Sequence, residues 1–267
     1  MPKFAANLSF LFQEHDFLDR FEAAQRAGFR AVEFLFPYDL APSGEIAARL
    51  DGNGLSQALF NLSPGDWEAG ERGITALPGR QDDFRRSVDD ALRYADATGC
   101  RQLHVLAAIV PAGADPRACE DTYVENLAYA ADAFGREGIR ALIEPLNTVD
   151  NPGYLLSTAG HAQRVIETVG SDNLLLQYDF YHRQIMEGSL ATGFAQYRDV
   201  ISHIQVSGVP GRHEPDVGEI NYPYLFDMLD KAGYDGWIGC EYRPKGGTLE
   251  GLGWLLPYGI GATVITA

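Results

Sequence analysis

Short β-branched or aromatic runs alternate with helix-like stretches about eight times along this 267-residue chain, and that rhythm limits the folds open to it. Strand-type runs fall at residues 4–9, 31–36, 56–61, 102–106, 140–144, 174–179, 203–206 and 237–241. Helical stretches lie at 16–27, 43–50, 82–98, 119–136, from 158, at 190–197, 222–231 and around 249. Gly28, Gly99, Gly138 and Gly233 stand where helices should stop. Strands joined by helices pair in parallel, and eight such units in about 250 residues predict a closed (β/α)8 TIM barrel of the α/β class. The rival, an open doubly wound sheet, lacks its G-x-G-x-x-G turn after the first strand. No composition break or Pro/Ser-rich linker divides the chain, so residues 1–267 read as a single domain.

Four of the runs end on oxygen-bearing side chains: Glu144 after Ile143, Asp179 after Tyr178, Gln205 after Ile204 and Glu241 after Cys240. In a parallel barrel the C-terminal strand ends converge on one rim, where barrel enzymes keep their chemistry. Pro145 favours an extended conformation at Glu144, which places that residue at the strand end. One strand-end glutamate is usually a solvated residue or an ion-pair partner. Three carboxylates and an amide aimed at one spot repel each other without a cation, and Mg²⁺ or Mn²⁺ prefers such oxygen ligands.

Composition removes several classes of function. A net charge of −16 opposes a polyanionic partner, because nucleic-acid binding needs a basic stripe that is not visible here. No apolar run reaches the roughly 18 residues that span a bilayer. The N-terminal stretch is a poor signal peptide, so a cytoplasmic location is expected. Three cysteines, Cys100, Cys119 and Cys240, are odd in number and lack metal-type spacing, which fits a reducing compartment. Cys240 points away from Glu241 and reads as core.

Further candidates follow from position. His182 falls one turn after Asp179, where it could meet a substrate oxygen or support a metal ligand. His104 reads as structural, and His203, two residues before Gln205, as a deeper layer of the barrel. Residues 62–81 form the longest connection, and a loop of this length leaving the rim is read as an active-site loop; it carries Asp66 and Arg72. Arg212 lies in the loop after the seventh strand, where barrels often hold anions, and its fork suits a carboxylate. The apolar tail, residues 259–267, could pack beneath the barrel or against a second copy, which leaves a homo-oligomer open.

The stretches Phe4-Ala5-Ala6-Asn7-Leu8-Ser9, Val32-Glu33-Phe34-Leu35-Phe36-Pro37-Tyr38-Asp39, Pro64-Gly65-Asp66, Ala69-Gly70-Glu71-Arg72-Gly73, Arg212-His213-Glu214-Pro215, Gly218-Glu219-Ile220-Asn221-Tyr222 and Gly236-Trp237-Ile238-Gly239-Cys240-Glu241-Tyr242 together resemble the hydroxypyruvate isomerase family. That family lies within the xylose isomerase-like barrels, and the resemblance covers nearly the whole chain. It implies a divalent metal held by Glu144, Asp179, Gln205 and Glu241, with the two glutamates as proton donor and acceptor, and a substrate site including Asp66. Sugar epimerases of the superfamily usually carry His at the position of Gln205, which points away from that branch.

The expected reaction is aldose–ketose isomerisation of a short 2-oxo acid: hydroxypyruvate to tartronate semialdehyde, or the four-carbon 2-oxotetronate to its 3-oxo form. Arg212 and Arg72 motivate the carboxylate on the substrate. A ketose 3-epimerase, a metal-dependent endonuclease and a noncatalytic sugar-acid binder are the competing classes. The first needs no carboxylate clamp, the second needs more His ligands and a basic groove, and the third needs no paired glutamates.

Overall fold

The computed structural model describes residues 1–261. Eight strands close into one parallel barrel in sequence order. They are β1 (Lys3–Asn7), β2 (Ala31–Phe34), β3 (Ser56–Asn61), β4 (Gln102–His104), β5 (Arg140–Ile143), β6 (Leu174–Asp179), β7 (Ile201–Val206) and β8 (Trp237–Cys240). Closure is made by β1 against β8, with Lys3 opposite Trp237 and Ala6 opposite Cys240. Around the barrel run α1 (Arg20–Arg26), α2 (Ser43–Asn53), α3 (Gln81–Thr98), α4 (Pro116–Arg136), α5 (Ala159–Val169), α6 (Phe180–Met186), α7 (Leu190–Tyr197) and α8 (Tyr222–Lys231). Two 3₁₀ segments, Phe17–Asp19 and Leu249–Tyr258, complete the wall.

Alternation along each strand separates two environments. Outward residues such as Phe4, Val32, Phe34, Phe60, Leu103, Leu176, Ile204, Ile238 and Cys240 join the large core between sheet and helices. The inward floor is narrow: Ala5, Ala31 and Ala58 pack there with the ring of Trp237. Small residues at that level leave no bulk to fill the upper barrel, which is instead filled by buried polar groups. Gly239 is part of the same device, since a Cβ there would lie 2.2 Å from Glu33 Oε1.

The sequence places every strand, with boundaries displaced by a few residues. The first predicted helix splits into the 3₁₀ turn at Phe17 and α1, and the last is 3₁₀ throughout its length. The fourth helix starts three residues earlier than expected, at Pro116, because Asp115 caps it by accepting from Arg117 N at 3.0 Å. The structure adds α6, a helix that springs directly from β6. Of the apolar tail, residues 262–267 lie outside the described residues. Its first part seals the barrel wall: Ile260 is buried and Gly261 N donates to Ala27 O at 2.7 Å.

Candidate active site

Each strand end delivers one or two side chains to the upper barrel. Glu144 and Glu241 sit one residue beyond β5 and β8, Asp179 closes β6, and Gln205 lies one residue before the end of β7. All four are buried, as the strand-end pattern predicts. Glu144 and Glu241 line a cavity of about 430 Å³ together with Phe10, Asn61, Trp67, Arg72, His104 and Arg243, and Asp179 and Gln205 adjoin it through their contacts with Arg212 and Glu241.

Asp179 divides its two oxygens. Oδ1 accepts from Tyr181 N at 2.7 Å and so starts α6, while Oδ2 faces His182 Nε2 at 3.6 Å and Arg212 Nη2 at 3.3 Å. The short helix explains why His182, three residues on, returns to its ligand-like neighbour. His182 Nδ1 accepts from Asn147 N at 3.1 Å, which leaves the proton on Nε2, pointing into the site. Burial, then Arg212 and His104, holds His182 well below the ordinary histidine range, so the ring is a neutral donor.

Glu241 is held from three sides. Its Oε2 accepts from Asn7 Nδ2 at 3.0 Å and Gln205 Nε2 at 2.5 Å, and its Oε1 accepts from Arg212 Nη2. Burial pushes its carboxyl up to about 8, against the pull of Arg212. Glu144 lacks such support. Its Oε1 has no partner, and its Oε2 lies 3.6 Å from His104 Nδ1. Burial, with Glu241 and Asp179 nearby, drives Glu144 well above the usual carboxylate range.

A deeper layer supports this one. Glu33 Oε1 accepts from Asn7 Nδ2 at 2.9 Å and Gln205 Nε2 at 2.8 Å, and Oε2 pairs with His203 Nε2 at 2.7 Å. Gln177 Nε2 donates to Gln205 Oε1 at 2.7 Å. The expected depth of His203 is correct. Glu33, Asn7 and Gln177 are absent from the sequence-based site. The signal for Gln177 was its spacing of two before Asp179, on the same strand face; the signal for Glu33 was a charge inside an otherwise apolar strand.

Three expectations need correction. His104, read as structural, lines the cavity beside Glu144, and neither of its ring nitrogens has a partner. Burial and the nearby His203 lower it to about 3, so it is neutral. It ends the fourth strand, and the rule applied to the other strand ends would have found it. Asp66 is exposed and outside the cavity lining; its Oδ1 accepts from Ala69 N at 2.9 Å and closes a turn of the long loop. That loop still reaches the mouth, through Trp67 and Arg72, whose guanidinium stacks 3.5 Å above the indole. Arg212 does line the cavity, but its Nη2 binds Glu241 and Asp179 instead of facing an open carboxylate site. Its residue adopts φ 58°, fixed by Arg212 N donating to Gly208 O at 3.0 Å. Burial works against its charge, and Glu241, Asp179 and Glu144 overcome that effect.

The donor set fits a hard divalent cation. Ligand atoms of Glu144, Asp179 and His182 lie within 4.8 Å of one another, and the buried Glu144 Oε1 needs a partner. Glu144, Asp179 and Glu241 share one partly buried arginine, Arg212, so positive charge is short. Gln205 turns its Nε2 to the two glutamates and its Oε1 to Gln177, so here its amide bridges the two polar layers.

Residues 21–258 match the xylose isomerase-like TIM barrel family. A 2-oxo-tetronate isomerase of Cupriavidus necator is 58% identical over 97% of this chain and 99% of the relative. A hydroxypyruvate isomerase of Escherichia coli is 48% identical over 97% of this chain and 100% of the relative. Among solved structures, a Brucella melitensis protein described as an AP endonuclease of family 2 superposes with a TM-score of 0.94 at 50% identity, covering 97% of this chain and 99% of that one.

Proposed function

The chain belongs to the xylose isomerase-like TIM barrel family, and from that membership and the rim geometry we propose that it isomerises a short 2-oxo acid bearing a hydroxyl beside the carbonyl. Hydroxypyruvate and 2-oxotetronate stand level as substrates, since relatives of 48% and 58% identity are named for each. The observation that carries the reading is a pair of buried glutamates, Glu144 and Glu241, that reach one cavity from just beyond the ends of β5 and β8.

Glu144, Asp179 and Glu241 would hold Mg²⁺ or Mn²⁺, with Gln205 contributing once its amide oxygen is presented. The ion would supply Lewis-acid polarisation of the carbonyl and hydroxyl oxygens. The protein's own groups do the rest. Ionised once positive charge offsets the neighbouring Glu241 and Asp179, Glu144, whose Oε1 has no partner, would accept the carbon-bound proton beside the carbonyl. Loss of that proton gives an enediolate. Glu241, just beyond the end of the opposite strand β8, would return a proton to the neighbouring carbon, while the hydroxyl proton moves to the former carbonyl oxygen. The Nε2–H of His182 donates to the developing oxyanion. Packing of Trp67 against Phe36 at 5.3 Å covers the mouth and limits water.

The endonuclease description attached to the Brucella structure does not suit this chain as well, because −16 of net charge opposes a phosphate backbone. A small-molecule substrate, a cytoplasmic setting and no nucleic-acid partner complete the proposal. A competition assay with both acids and each metal tests it. Turnover of either acid, lost on chelation, supports the reading; turnover of neutral ketoses with neither acid consumed would remove it.

A further inference from the structure

The carboxylate of a 2-oxo acid has to be bound somewhere, and the floor of the cavity is a poor place for it. Glu144, Asp179 and Glu241 line or adjoin that floor, and the partly buried arginine among them is already shared by two of the three. Even with Arg212 and a divalent ion beside them, the three carboxylates leave no excess positive charge at the floor, whereas the mouth carries further arginines, so the carboxylate of an anionic substrate faces the mouth.

Three arginines line the cavity: Arg72, Arg212 and Arg243. Arg212 is committed to Glu241 and Asp179. Arg72 Nη1 donates to the backbone oxygens of Trp67 at 3.0 Å and Glu71 at 2.8 Å, and its face is stacked on Trp67. Arg243 differs from both. Among the described residues its guanidinium makes no hydrogen bond or ion pair, and its centre lies 5.9 Å from the Phe10 ring.

The backbone that carries Arg243 is held firmly. Arg243 N donates to Arg212 O at 2.7 Å, and Arg243 O meets His213 Nδ1 at 2.9 Å. Pro244 follows and limits the conformation of Arg243. Residue 243 is also two past Glu241, so both side chains reach the same cavity. The loops after β7 and β8 are thus tied together at the place where barrels commonly bind anionic groups. Gly208 lets the loop after β7 fold tightly on itself, since a Cβ there would lie 2.2 Å from Val217 O.

We propose that Arg243 is the specificity residue that grips the substrate carboxylate through its free guanidinium fork, an assignment that rests on the 2-oxo-acid reading above. Arg212 then serves the carboxylates of the site, and Arg72 shapes the loop that closes over the bound acid. The carboxylate is held at the mouth while the carbonyl and hydroxyl carbons reach Glu144 and Glu241.

Steady-state kinetics of Arg243→Met, Arg243→Lys and Arg72→Met with hydroxypyruvate and 2-oxotetronate test the assignment, with Mn²⁺ affinity measured by calorimetry on each. The expected result for Arg243→Met is a KM raised about tenfold to a hundredfold with a much smaller change in kcat. Arg243→Lys recovers part of the loss, Arg72→Met costs less, and Mn²⁺ affinity stays within about twofold. An Arg243→Met enzyme whose kcat/KM for both acids stays within about twofold of wild type would overturn the role. So would an equal loss in Mn²⁺ affinity, which would make Arg243 a builder of the site. Should Arg243→Met fail to fold, the KM of Arg243→Lys decides. Wild-type enzyme inert on both acids removes the functional reading itself, whereas an active wild type with an unaffected variant removes the Arg243 role alone.

Discussion

The two sides of the barrel mouth treat buried glutamates in opposite ways. On the side built by β1, β2, β7 and β8, both oxygens of Glu33 and both oxygens of Glu241 have donors, from Asn7, His203, Gln205 and Arg212. On the side built by β4, β5 and β6, Glu144 Oε1 and both nitrogens of His104 have none. Burial is equally deep on both. An unpaired buried polar group is costly, so the second arrangement persists where a ligand completes it. The fully paired Glu33 belongs to a fixed frame that also positions Glu241, and the unpaired Glu144 is the side where a ligand is needed.

The largest effect should come from the unpaired side. Glu144→Gln is expected to lower kcat by about 10²–10⁴-fold while the protein keeps its thermal stability, because the amide has nearly the shape of the carboxyl and none of the repulsion from Glu241 and Asp179. Turnover near wild type in that variant would move the acid/base role elsewhere. Next in size is the frame. Glu33→Ala leaves the donors of Asn7, Gln205 and His203 facing a void, and urea unfolding should show a loss of about 3–5 kcal/mol. Glu33→Gln should lose less, and a fully stable Glu33→Ala protein would contradict the frame's role.

A smaller effect is expected on metal loading. Saturating Mg²⁺ or Mn²⁺ should stabilise the wild type by about 2–3 kcal/mol at a hundredfold excess over Kd. Asp179→Asn should shift that dependence to higher metal concentration, as read by thermal melts across a metal titration. Equal metal response in both proteins would take Asp179 out of the ligand set.

A separate effect concerns pH in the metal-free protein. The Glu241 carboxyl is raised from the usual 4.5 to about 8 in the fold. Between those values the folded state binds more protons at this group than the unfolded state, so its contribution makes stability fall as pH rises. Chemical denaturation at pH 5, 6.5 and 8 should show that slope, and Glu241→Gln should flatten it. A slope unchanged by the substitution would assign it to other groups.

Much of this was legible in the sequence, because barrel strands repeat one local pattern and the functional residues cluster at its end. Glu144, Asp179, Gln205 and Glu241 follow from the boundary between an apolar run and a polar residue. What could not be read was pairing across the closure. Asn7 contacts Glu241 over 234 residues of sequence, and only the β1–β8 seam brings them together. Arg212 shows the same limit: its loop was correctly placed, but its charge is claimed by acids from β6 and β8. The helix α6 escaped notice because it follows β6 without a turn signal, its cap being Asp179 itself.

Proton NMR in D₂O of the metal-loaded protein, with hydroxypyruvate and 2-oxotetronate offered separately, tests the central claim most directly. Proton transfer through an enediolate predicts deuterium at the new hydroxyl-bearing carbon of the product, absent when Glu144→Gln is used. A product whose hydrogen at that carbon has come undiluted from the substrate's neighbouring carbon would point to a hydride shift and contradict the acid/base assignment. No isomerisation of either acid would contradict the account as a whole.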